Sequence, residues 1–513
     1  MKKRIKSLVC ILLLFSLILT GCTAGKKTDN QSGNTEDTQN SESADGLDSA
    51  LKDGKETELR VVFPGGSSSP KDLAAVEEQI NAIVGQYMDA KVKLEILEWG
   101  VFSDQQNLIL SSGEDVALMF TYNSSRTFAS SGQVMDITEL SNTYASDAQE
   151  LFTKYLDACR IDGKLYGMPT FHEYTKSSGL IGRTDILKEL NVDPAAVKSW
   201  DDVESVLKKV QQAYPNMNLL APVEVGSGIL DYYNEGTFDK LADGLGVYVN
   251  SDDTKVFNIY DTPEFMNLAK VAYDWNQKGY FMPDAPTVTD TRQELLAAGN
   301  TFGYIGQIHP GTATQEYKNS GVEVTTMSIN DKALTTGNVN FAQYMVPTAC
   351  SAPEKAVKLL DLMLTNKDIV NLLMYGVKDT DYVVKDEAND IVGYPEGIDV
   401  SSVGWNNETW LAGNGSLSHV WETDSPTIWS DYLAFNDSAK ESPLYGFTYD
   451  SSNVKTEIAA ISNVIDKYEA VIAAGYTEPE KAVKQMVDEL NSAGIQNVIE
   501  DAQAQVDSWK AGN

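Results

Sequence analysis

Apolar and polar positions alternate in some parts of the chain and recur at helical spacing in others. Residues 92–99 alternate and predict a strand, whereas residues 73–88 carry apolar side chains every three or four positions and predict a helix. Apolar runs at 59–63 and 116–120 predict two further strands, and a second helix is predicted near 102–112. This order predicts a parallel α/β unit, in which ligands bind beyond the carboxyl ends of the strands.

The stretch from 161 to 187 predicts a change of domain. Asp162 and Gly163 suit the positive φ angles of a tight hairpin turn, and a short extended run follows at 165–170. Pro169 lacks the N–H that a strand ladder needs, so the chain leaves its sheet there. Polar and aromatic residues follow, and then an apolar strand at 179–182. We predict that residues 169–174 cross from one domain to another and that the chain returns near 337–340.

The remaining periodic stretches predict a second half that is rich in helices. Strands are predicted from 301 and at 340–346, and helices at 186–190, 203–213, 263–279, 292–299, 353–364, 367–375, 454–474 and 478–510. Because the last two helices carry apolar stripes, we expect them to pack on the second domain.

Length and charge narrow the possible classes of function. The chain has 513 residues, which favours two large lobes over a single core. Its formal net charge of −34 at pH 7 excludes ordinary nucleic-acid binding, because phosphate contacts need clustered Lys and Arg.

The N-terminus has the features of an export signal. A basic segment at 2–6 precedes an apolar segment at 8–19 that is shorter than a membrane-spanning helix needs. The apolar segment ends in Leu19-Thr20-Gly21-Cys22, which resembles the lipobox of bacterial lipoproteins, and an ordinary cleaved secretory signal is the alternative. We expect residues 1–21 to be a signal peptide, Cys22 to carry a diacylglyceryl group, and residues 22–57 to contain the lipidated cysteine and a flexible linker.

Residues that usually carry catalysis or bind metals are sparse. The chain has 3 His and 4 Cys, and none of their groupings has zinc-ligand spacing. Cys159 and Cys350 lie in apolar contexts, which predicts buried free thiols. We predict that the protein is not an enzyme, because no nucleophile motif occurs. We also predict that it has neither a cofactor nor a metal site. With 74 acidic residues, a carboxylate pair for glycoside hydrolysis stays an alternative.

One segment rich in glycine and asparagine, 405–429, holds half of the 8 tryptophans. Aromatic faces pack on the apolar faces of sugar rings, while carboxylates and amides bind sugar hydroxyls. We expect one or two of these rings to contact ligand and the others to pack into the second lobe. Other candidates lie where a predicted strand ends or a loop begins. The predicted ligand-binding residues are Trp99, Tyr122, Asn123, Phe171, His172, Glu173, Tyr232, Asn234, Gln307, His309, Trp405, Trp410 and Trp421.

Several motifs resemble those of extracellular solute-binding proteins of ABC transporters. The order Asp-Gly-Lys-x-Tyr-Gly-x-Pro at 162–169 resembles a hinge motif of that family, and the strand at 114–120 and the helix at 351–360 resemble two others. Residues 375–397 and 446–495 resemble a subgroup with a poorly characterised C-terminal helical region. The resemblance covers about residues 58–510.

The resemblance implies a two-lobed α/β fold of type II, with hinge-linked lobes and C-terminal helices. Residues 58–169 and 338–390 would form lobe 1, and residues 170–337 and 391–513 would form lobe 2. The implied function is that of a lipid-anchored monomer on the extracellular face of the cell membrane, which captures an oligosaccharide in the interlobe cleft. It would deliver this ligand to the permease subunits of an ABC importer. A lipoprotein that presents its ligand to a membrane sensor is the alternative.

Overall fold

The computed structural model describes residues 50–222, 236–283, 285, 288 and 290–512. The predicted signal peptide, Cys22 and most of the predicted linker lie outside the described residues, as do Tyr232 and Asn234. The strands are β1 (Thr57–Gly65), β2 (Ala90–Glu98), β3 (Leu118–Tyr122), β4 (Arg160–Ile161), β5 (Lys164–Leu165), β6 (Gly167–Pro169), β7 (Thr175–Arg183), β8 (Asn218–Leu220), β9 (Phe238–Ala242), β10 (Leu245–Tyr248), β11 (Phe257–Asn258), β12 (Thr301–Ile308), β13 (Val324–Ser328), β14 (Ala333–Leu334), β15 (Ala342–Met345), β16 (Val383–Asp386), β17 (Ile391–Gly393), β18 (Val420–Trp421) and β19 (Lys440–Glu441).

The helices of the described residues include long amphipathic ones and short ones that follow strands. They are α1 (Leu73–Tyr87), α2 (Trp99–Ser112), α3 (Ser125–Ser130), α4 (Thr138–Tyr144), α5 (Ser146–Leu156), α6 (Thr184–Glu189), α7 (Trp200–Ala213), α8 (Pro263–Gln277), α9 (Arg292–Ala297), α10 (Thr312–Ser320), α11 (Thr336–Asn340), α12 (Pro353–Thr365), α13 (Lys367–Tyr375), α14 (Ile428–Asp437), α15 (Lys455–Ala473), α16 (Pro479–Ala493) and α17 (Ile495–Gly512).

Five strands form the first sheet in the order β2-β1-β3-β15-β6. Strand β1 runs parallel to β2 and β3, whereas β15 runs antiparallel to β3 and β6. Helix α1 buries Val76, Ile80 and Val84 in the same hydrophobic cluster as the side chains of β1 and β2. The predicted parallel α/β unit is therefore confirmed, and one antiparallel strand is inserted into it.

The second sheet is built around the long strand β7. Its strand order is β19-β14-β7-β12-β8, and β13 also pairs with β7. Strands β12, β13 and β14 all run antiparallel to β7. Gly179 of β7 allows β13 to approach closely, because a Cβ at this position would collide with the carbonyl group of Met327.

Each sheet has its own hydrophobic core. The first core contains Phe63, Phe120 and Tyr344, which come from strands of the first sheet. The second core contains Phe302 of the second sheet together with side chains of the C-terminal helices, among them Ile461 and Met486. The prediction that the C-terminal helices pack on the second domain is confirmed.

Over the described residues, the chain passes between the two sheets three times. Residues 170–174 connect β6 to β7, and α11 lies between β14 and β15. These two crossings coincide with those that the sequence predicts. A third connection, which the sequence does not predict, leaves the first sheet after β15 and passes through a separate three-stranded sheet of β16, β17 and β18 and then α14. It ends at β19, which pairs with β14 of the second sheet.

Some local predictions are confirmed and one is corrected. Asp162 and Gly163 have φ angles of 52° and 78°, as the predicted tight turn requires, and they join β4 to β5. Cys159 and Cys350 are buried free thiols. The helix predicted at 478–510 is instead two helices, α16 and α17, because Gly494 adopts a φ of 96° and ends the first of them.

The lobe boundaries stay a prediction, and the packing of residues 391–437 argues against the lobe to which the sequence assigns them. Trp405, Leu411 and Ala412 are buried in the first core, although the sequence assigns residues 391–513 to lobe 2. Trp410 and Trp429 also pack against the first core, so the expectation that the remaining tryptophans of this segment fill the second lobe is wrong. This packing argues for assigning residues 391–437 to lobe 1.

A buried carboxyl group lies where the third crossing meets the second domain. Asp239 of β9 is buried, and the hydroxyl group of Ser442, which follows β19, donates a hydrogen bond to its Oδ2. Burial raises the pKa of Asp239 to about 6, although the hydrogen bond from Ser442 opposes this rise. When folding raises the pKa of a carboxyl group, the free energy of unfolding of the protein falls as the pH rises from the unfolded pKa of the group to its folded pKa.

Replacing Asp239 by Asn should therefore stabilise the protein at neutral pH. We expect the free energy of unfolding of the Asp239→Asn variant to exceed that of the wild type by about 1 kcal/mol at pH 4.5 and about 3 kcal/mol at pH 7.5. Urea unfolding followed by tryptophan fluorescence at both pH values measures this difference. A difference that does not grow with pH would contradict the burial of an ionisable group at this position.

Candidate functional site

The ends of several strands meet at the edges where the chain crosses between the sheets. Because β6 and β3 are both antiparallel to β15, the strands β2, β3 and β6 end at the same edge of the first sheet. Trp99, Tyr122 and Phe171 lie at these ends. In the second sheet, Ile308 at the end of β12 pairs with Ser177 near the start of β7, so His309 lies beside the first crossing.

A first group of rings lies at the end of the first sheet. The ring of Trp410 is 5.5 Å from that of Trp99 and 5.9 Å from that of Phe341, each at an interplanar angle of 31°. The ring of Tyr122 contacts all three, at 6.4 Å from Trp99, 5.6 Å from Phe341 and 6.1 Å from Trp410. Trp99 is 40% exposed and Tyr122 is 45% exposed. We call these four residues the first ring group; they offer a wide aromatic surface to solvent.

A second group of rings lies beside helix α14. Trp429 and Tyr432 are three residues apart on this helix and their rings are 5.9 Å apart. The Tyr432 ring lies 6.3 Å from Phe171 and 5.9 Å from His309, and its hydroxyl oxygen lies 3.1 Å from Nδ1 of His309. We call Phe171, His309, Trp429 and Tyr432 the second ring group. It joins the end of β12 to the first crossing.

His172 connects the two ring groups. Its imidazole ring lies 4.4 Å from the ring of Phe341 and 4.4 Å from the ring of Tyr174, and Tyr174 in turn lies 6.2 Å from Phe171. Nδ1 lies 2.8 Å from the carbonyl oxygen of Thr170, and Nε2 lies 3.1 Å from that of Asn338. Only 3% of His172 is exposed, so we interpret this residue as part of the packing between two crossings rather than as a ligand contact.

Polar groups without partners accompany the rings. Among the described residues, the carboxylate of half-buried Glu173 makes no hydrogen bond or ion pair. Burial raises the pKa of Tyr432, and the nearby negative charge of Glu173 raises it further. The buried indole Nε1 of Trp429 likewise has no hydrogen-bond partner among the described residues. The carboxylate of Glu173 could accept hydrogen bonds from the hydroxyl groups of a ligand, and the indole N–H of Trp429 could donate one.

A cavity of about 340 Å³ at the end of β1 adds further polar groups. Gly65, Ser67, Asn406 and Asn407 line it, and Gly65 pairs with Glu98, the residue before Trp99. Asn406 is exposed. The cavity therefore lies at the same end of the first sheet as Trp99, although no residue of the first ring group lines it.

The predicted site residues separate into those that the structure brings together and those that it does not. Trp99, Tyr122, Phe171, His309 and Trp410 belong to the two ring groups. Asn123 follows Tyr122 with a φ of 54°, and its backbone N–H donates to the carbonyl oxygen of Phe341, while Gln307 is exposed on β12.

Trp405 and Trp421 lie elsewhere. Trp405 is 3% exposed in the first core, and its indole N–H donates to the carbonyl oxygen of Leu373. This burial favours a packing role, although Trp405 also lines the cavity at the end of β1. That Trp405 contacts ligand stays a prediction. Trp421 stacks on Tyr375 at 5.5 Å and meets Tyr394 at 4.6 Å, in a separate cluster.

The described residues show neither a metal-ligand cluster nor a membrane-spanning helix. Within residues 50–222, 236–283 and 290–512, no three His, Cys, Asp or Glu side chains are placed to hold a metal ion. Over the same described part of the chain, no helix combines the length and the apolar character needed to cross a bilayer.

Comparison with known proteins identifies the family. Residues 67–369 match the model of the bacterial extracellular solute-binding proteins. The chain belongs to this family. Residues 443–511, which include α15 and α16 and nearly all of α17, match a domain of unknown function, DUF3502.

Individual members of the family resemble this chain over most of its length. A carbohydrate ABC transporter substrate-binding protein of Streptococcus pneumoniae is 26% identical, over 86% of this chain and 89% of that protein. The crystal structure of the N-glycan transport solute binding protein NgtS from S. pneumoniae superimposes with a TM-score of 0.78 at 22% identity, over 88% of this chain and 99% of that one. Its complex with Man5GlcNAc gives a TM-score of 0.67 at 22% identity, over 89% and 99% of the two chains. The fold is thus the two-lobed type II fold of solute-binding proteins.

Three residues of the ring groups were not among the predicted contacts. Phe341 immediately precedes β15, and Trp429 and Tyr432 share a face of α14. The pair Trp429 and Tyr432 at a spacing of three residues is a signal that the sequence contains, once α14 is recognised as a helix. Phe341 has no such local signal.

Truncating Trp405 tests whether this ring belongs to the core. We expect Trp405→Ala to lower the free energy of unfolding by roughly 3–5 kcal/mol, because it removes a buried ring and leaves the carbonyl group of Leu373 without this donor. Urea unfolding measures the loss, and Trp421→Ala, which truncates a half-buried ring, should cost less. If Trp405→Ala left stability unchanged, the ring would not be a core element.

Proposed function

We propose that this protein captures an oligosaccharide between its two lobes and delivers it to the permease subunits of an ABC importer. The observation that carries the proposal is the chain of aromatic rings from Trp99 to His309. It begins at the strand ends of the first sheet and reaches the end of β12 in the second sheet. The middle of this chain, Phe171, His172 and Tyr174, is buried, so a ligand would contact its accessible ends. These ends are Trp99 and Tyr122 on the first lobe and His309 on the second, so such a ligand would contact both lobes.

The chemistry of the rings suits a carbohydrate. The apolar face of a pyranose ring packs against an exposed aromatic face, and Trp99, Tyr122 and Trp410 offer such a surface. The carboxylate of Glu173 can accept hydrogen bonds from sugar hydroxyl groups, and the side chain of Asn406 can both donate and accept. A row of rings that spans both domains favours an extended ligand of several sugar units over a single one.

Ligand binding would be coupled to closure of the lobes. In our account the lobes sample open and closed arrangements about the three crossings, and a ligand that contacts both lobes makes the closed arrangement dominant. The permease would then recognise the surface of the closed form. Because the family consists of binding proteins, we propose that the chain binds its ligand without transforming it.

Relatives suggest the first ligands to test. NgtS has been crystallised with Man1GlcNAc and with Man5GlcNAc. Mannose-containing oligosaccharides are therefore a reasonable start for a thermal-shift screen, in which a bound ligand raises the apparent stability by mass action.

Membrane attachment through Cys22 is the second part of the proposal. The basic and apolar segments before Leu19-Thr20-Gly21-Cys22 support export and lipidation, and two acyl chains are sufficient for stable anchoring. The protein would act as a monomer on the extracellular face of the cell membrane, close to its permease.

Trp410→Ala should weaken binding of the oligosaccharide identified in the screen. We expect a loss of about 1–3 kcal/mol in binding free energy, because the substitution removes the ring that Trp99, Tyr122 and Phe341 all contact. Isothermal titration calorimetry on the folded variant measures the loss. The matched control is Trp421→Ala, which truncates a tryptophan of the same segment outside the ring groups and should leave affinity within twofold. Equal effects of the two substitutions would remove the support for this site.

Cys22→Ala should abolish lipid attachment. We expect the full-length variant to appear in the culture medium or to accumulate with residues 1–21 attached, since no thiol remains for the diacylglyceryl group. Fractionation and intact-mass measurement distinguish these outcomes from a mature, membrane-bound form. Membrane retention of a processed Cys22→Ala protein would contradict the lipoprotein assignment.

A further inference from the structure

A cavity of about 880 Å³ lies outside the two ring groups, and none of the ring-group residues lines it. One wall consists of Arg126 on α3 and of residues 160–163 around the β4–β5 turn. Another wall consists of residues 445–448, of Asp450 and of side chains on α17, among them Trp509. Residues from the first sheet region and from the C-terminal region therefore face each other across this space.

Two residues that line this cavity, Arg126 and Thr448, carry buried hydrogen-bonding groups without partners among the described residues. The side chain of Arg126 is only 20% exposed, and its Nε is buried without a hydrogen-bond partner among the described residues. Its two terminal nitrogens lie 3.8 Å from Oδ1 of Asp162 and 3.9 Å from Oδ2 of Asp450, which is too far for direct hydrogen bonds. The buried hydroxyl group of Thr448 also has no partner in the described part of the chain. Unpaired donors of this kind are costly unless a bound molecule satisfies them.

The remaining walls combine aromatic and polar groups. The ring of half-buried Trp509 lies 5.8 Å from that of Phe447, and both residues line the cavity. On the adjacent turn of α17, Gln505 donates to a carboxylate oxygen of Asp501. A ligand in the cavity would thus meet the Trp509 ring and polar side chains of the same helix.

The charge of the cavity selects against anions. Arg126 and Arg160 line it, but so do four carboxylates, those of Asp157, Asp162, Asp450 and Asp501. The formal charge of these six groups is +2 − 4 = −2. A phosphate or a carboxylate ligand would be repelled, whereas a neutral molecule with several hydroxyl groups could bond to both the guanidinium groups and the carboxylates.

We propose that this cavity is a second saccharide site, which binds one or two neutral sugar units with the terminal nitrogens of Arg126 as hydrogen-bond donors and Trp509 as the stacking ring. Its volume lies within the 300–1,000 Å³ or so that is typical of small-molecule sites. The site is separate from the ring groups, so either site can exist without the other.

Saturation-transfer difference NMR with free mannose and free N-acetylglucosamine tests the proposal. The experiment uses the Trp410→Ala protein, in which the first ring group is disabled, so that a remaining signal reports the second cavity. We expect at least one of the two sugars to give a signal that falls at least fivefold when either Trp509→Ala or Arg126→Gln is added. Tyr317→Ala, which truncates an exposed ring on α10, is the control and should leave the signal unchanged.

Two results would overturn the proposal: no signal from either sugar, or a signal that both cavity substitutions leave intact. Arg126→Gln preserves the test if Trp509→Ala fails to fold, since Arg126 lies outside the hydrophobic cores. Calorimetric titration of the single variant Trp509→Ala with the oligosaccharide separates this proposal from the preceding one. If Trp509→Ala removes the sugar signal but keeps oligosaccharide affinity, the proposed transport function still stands. If the ring groups prove not to bind oligosaccharide, the NMR experiment still tests the cavity.

Discussion

The buried imidazole of His172 is the contact on which the arrangement of the site depends. It lies between Phe341 and Tyr174, and its nitrogens approach carbonyl oxygens of the first and second crossings. Burial lowers the pKa of His172, so the ring is neutral at physiological pH and only one of its nitrogens carries a hydrogen to donate. Without the His172 ring, the series of aromatic contacts that joins Trp410 to Tyr432 would be interrupted.

Under the proposed function, this connection would allow a two-lobed protein to bind one extended ligand. The first ring group is fixed by strands of the first sheet, and His309 of the second group is fixed by β12 of the second sheet. A sugar chain lying along both groups gains contacts from both lobes only in one relative arrangement. The ligand therefore biases an equilibrium between arrangements by as much as its affinity for them differs. The third crossing contributes directly, because α14 carries Trp429 and Tyr432.

The sequence predicts the parts of the site that follow from strand order. Trp99, Tyr122, Phe171 and His309 were identified because each follows or ends a predicted strand, and parallel strands end at one edge. The sequence could not distinguish Trp405 from Trp410: both lie in the same irregular segment, which has no periodicity to show which ring points inward. It also could not show that Trp410 meets Trp99, since that contact joins residues far apart in the chain. The break at Gly494 was missed because apolar spacing continues on both sides of it.

Small-angle X-ray scattering with and without a bound oligosaccharide tests the central claim most directly. The measurement uses the oligosaccharide that the thermal-shift screen identifies, at saturation, with the Trp410→Ala protein at the same ligand concentration for comparison. We predict that ligand decreases the radius of gyration of the wild-type protein and that the variant needs more ligand for the same decrease. A radius of gyration that stays constant while calorimetry reports full occupancy would contradict a ligand that bridges the two lobes.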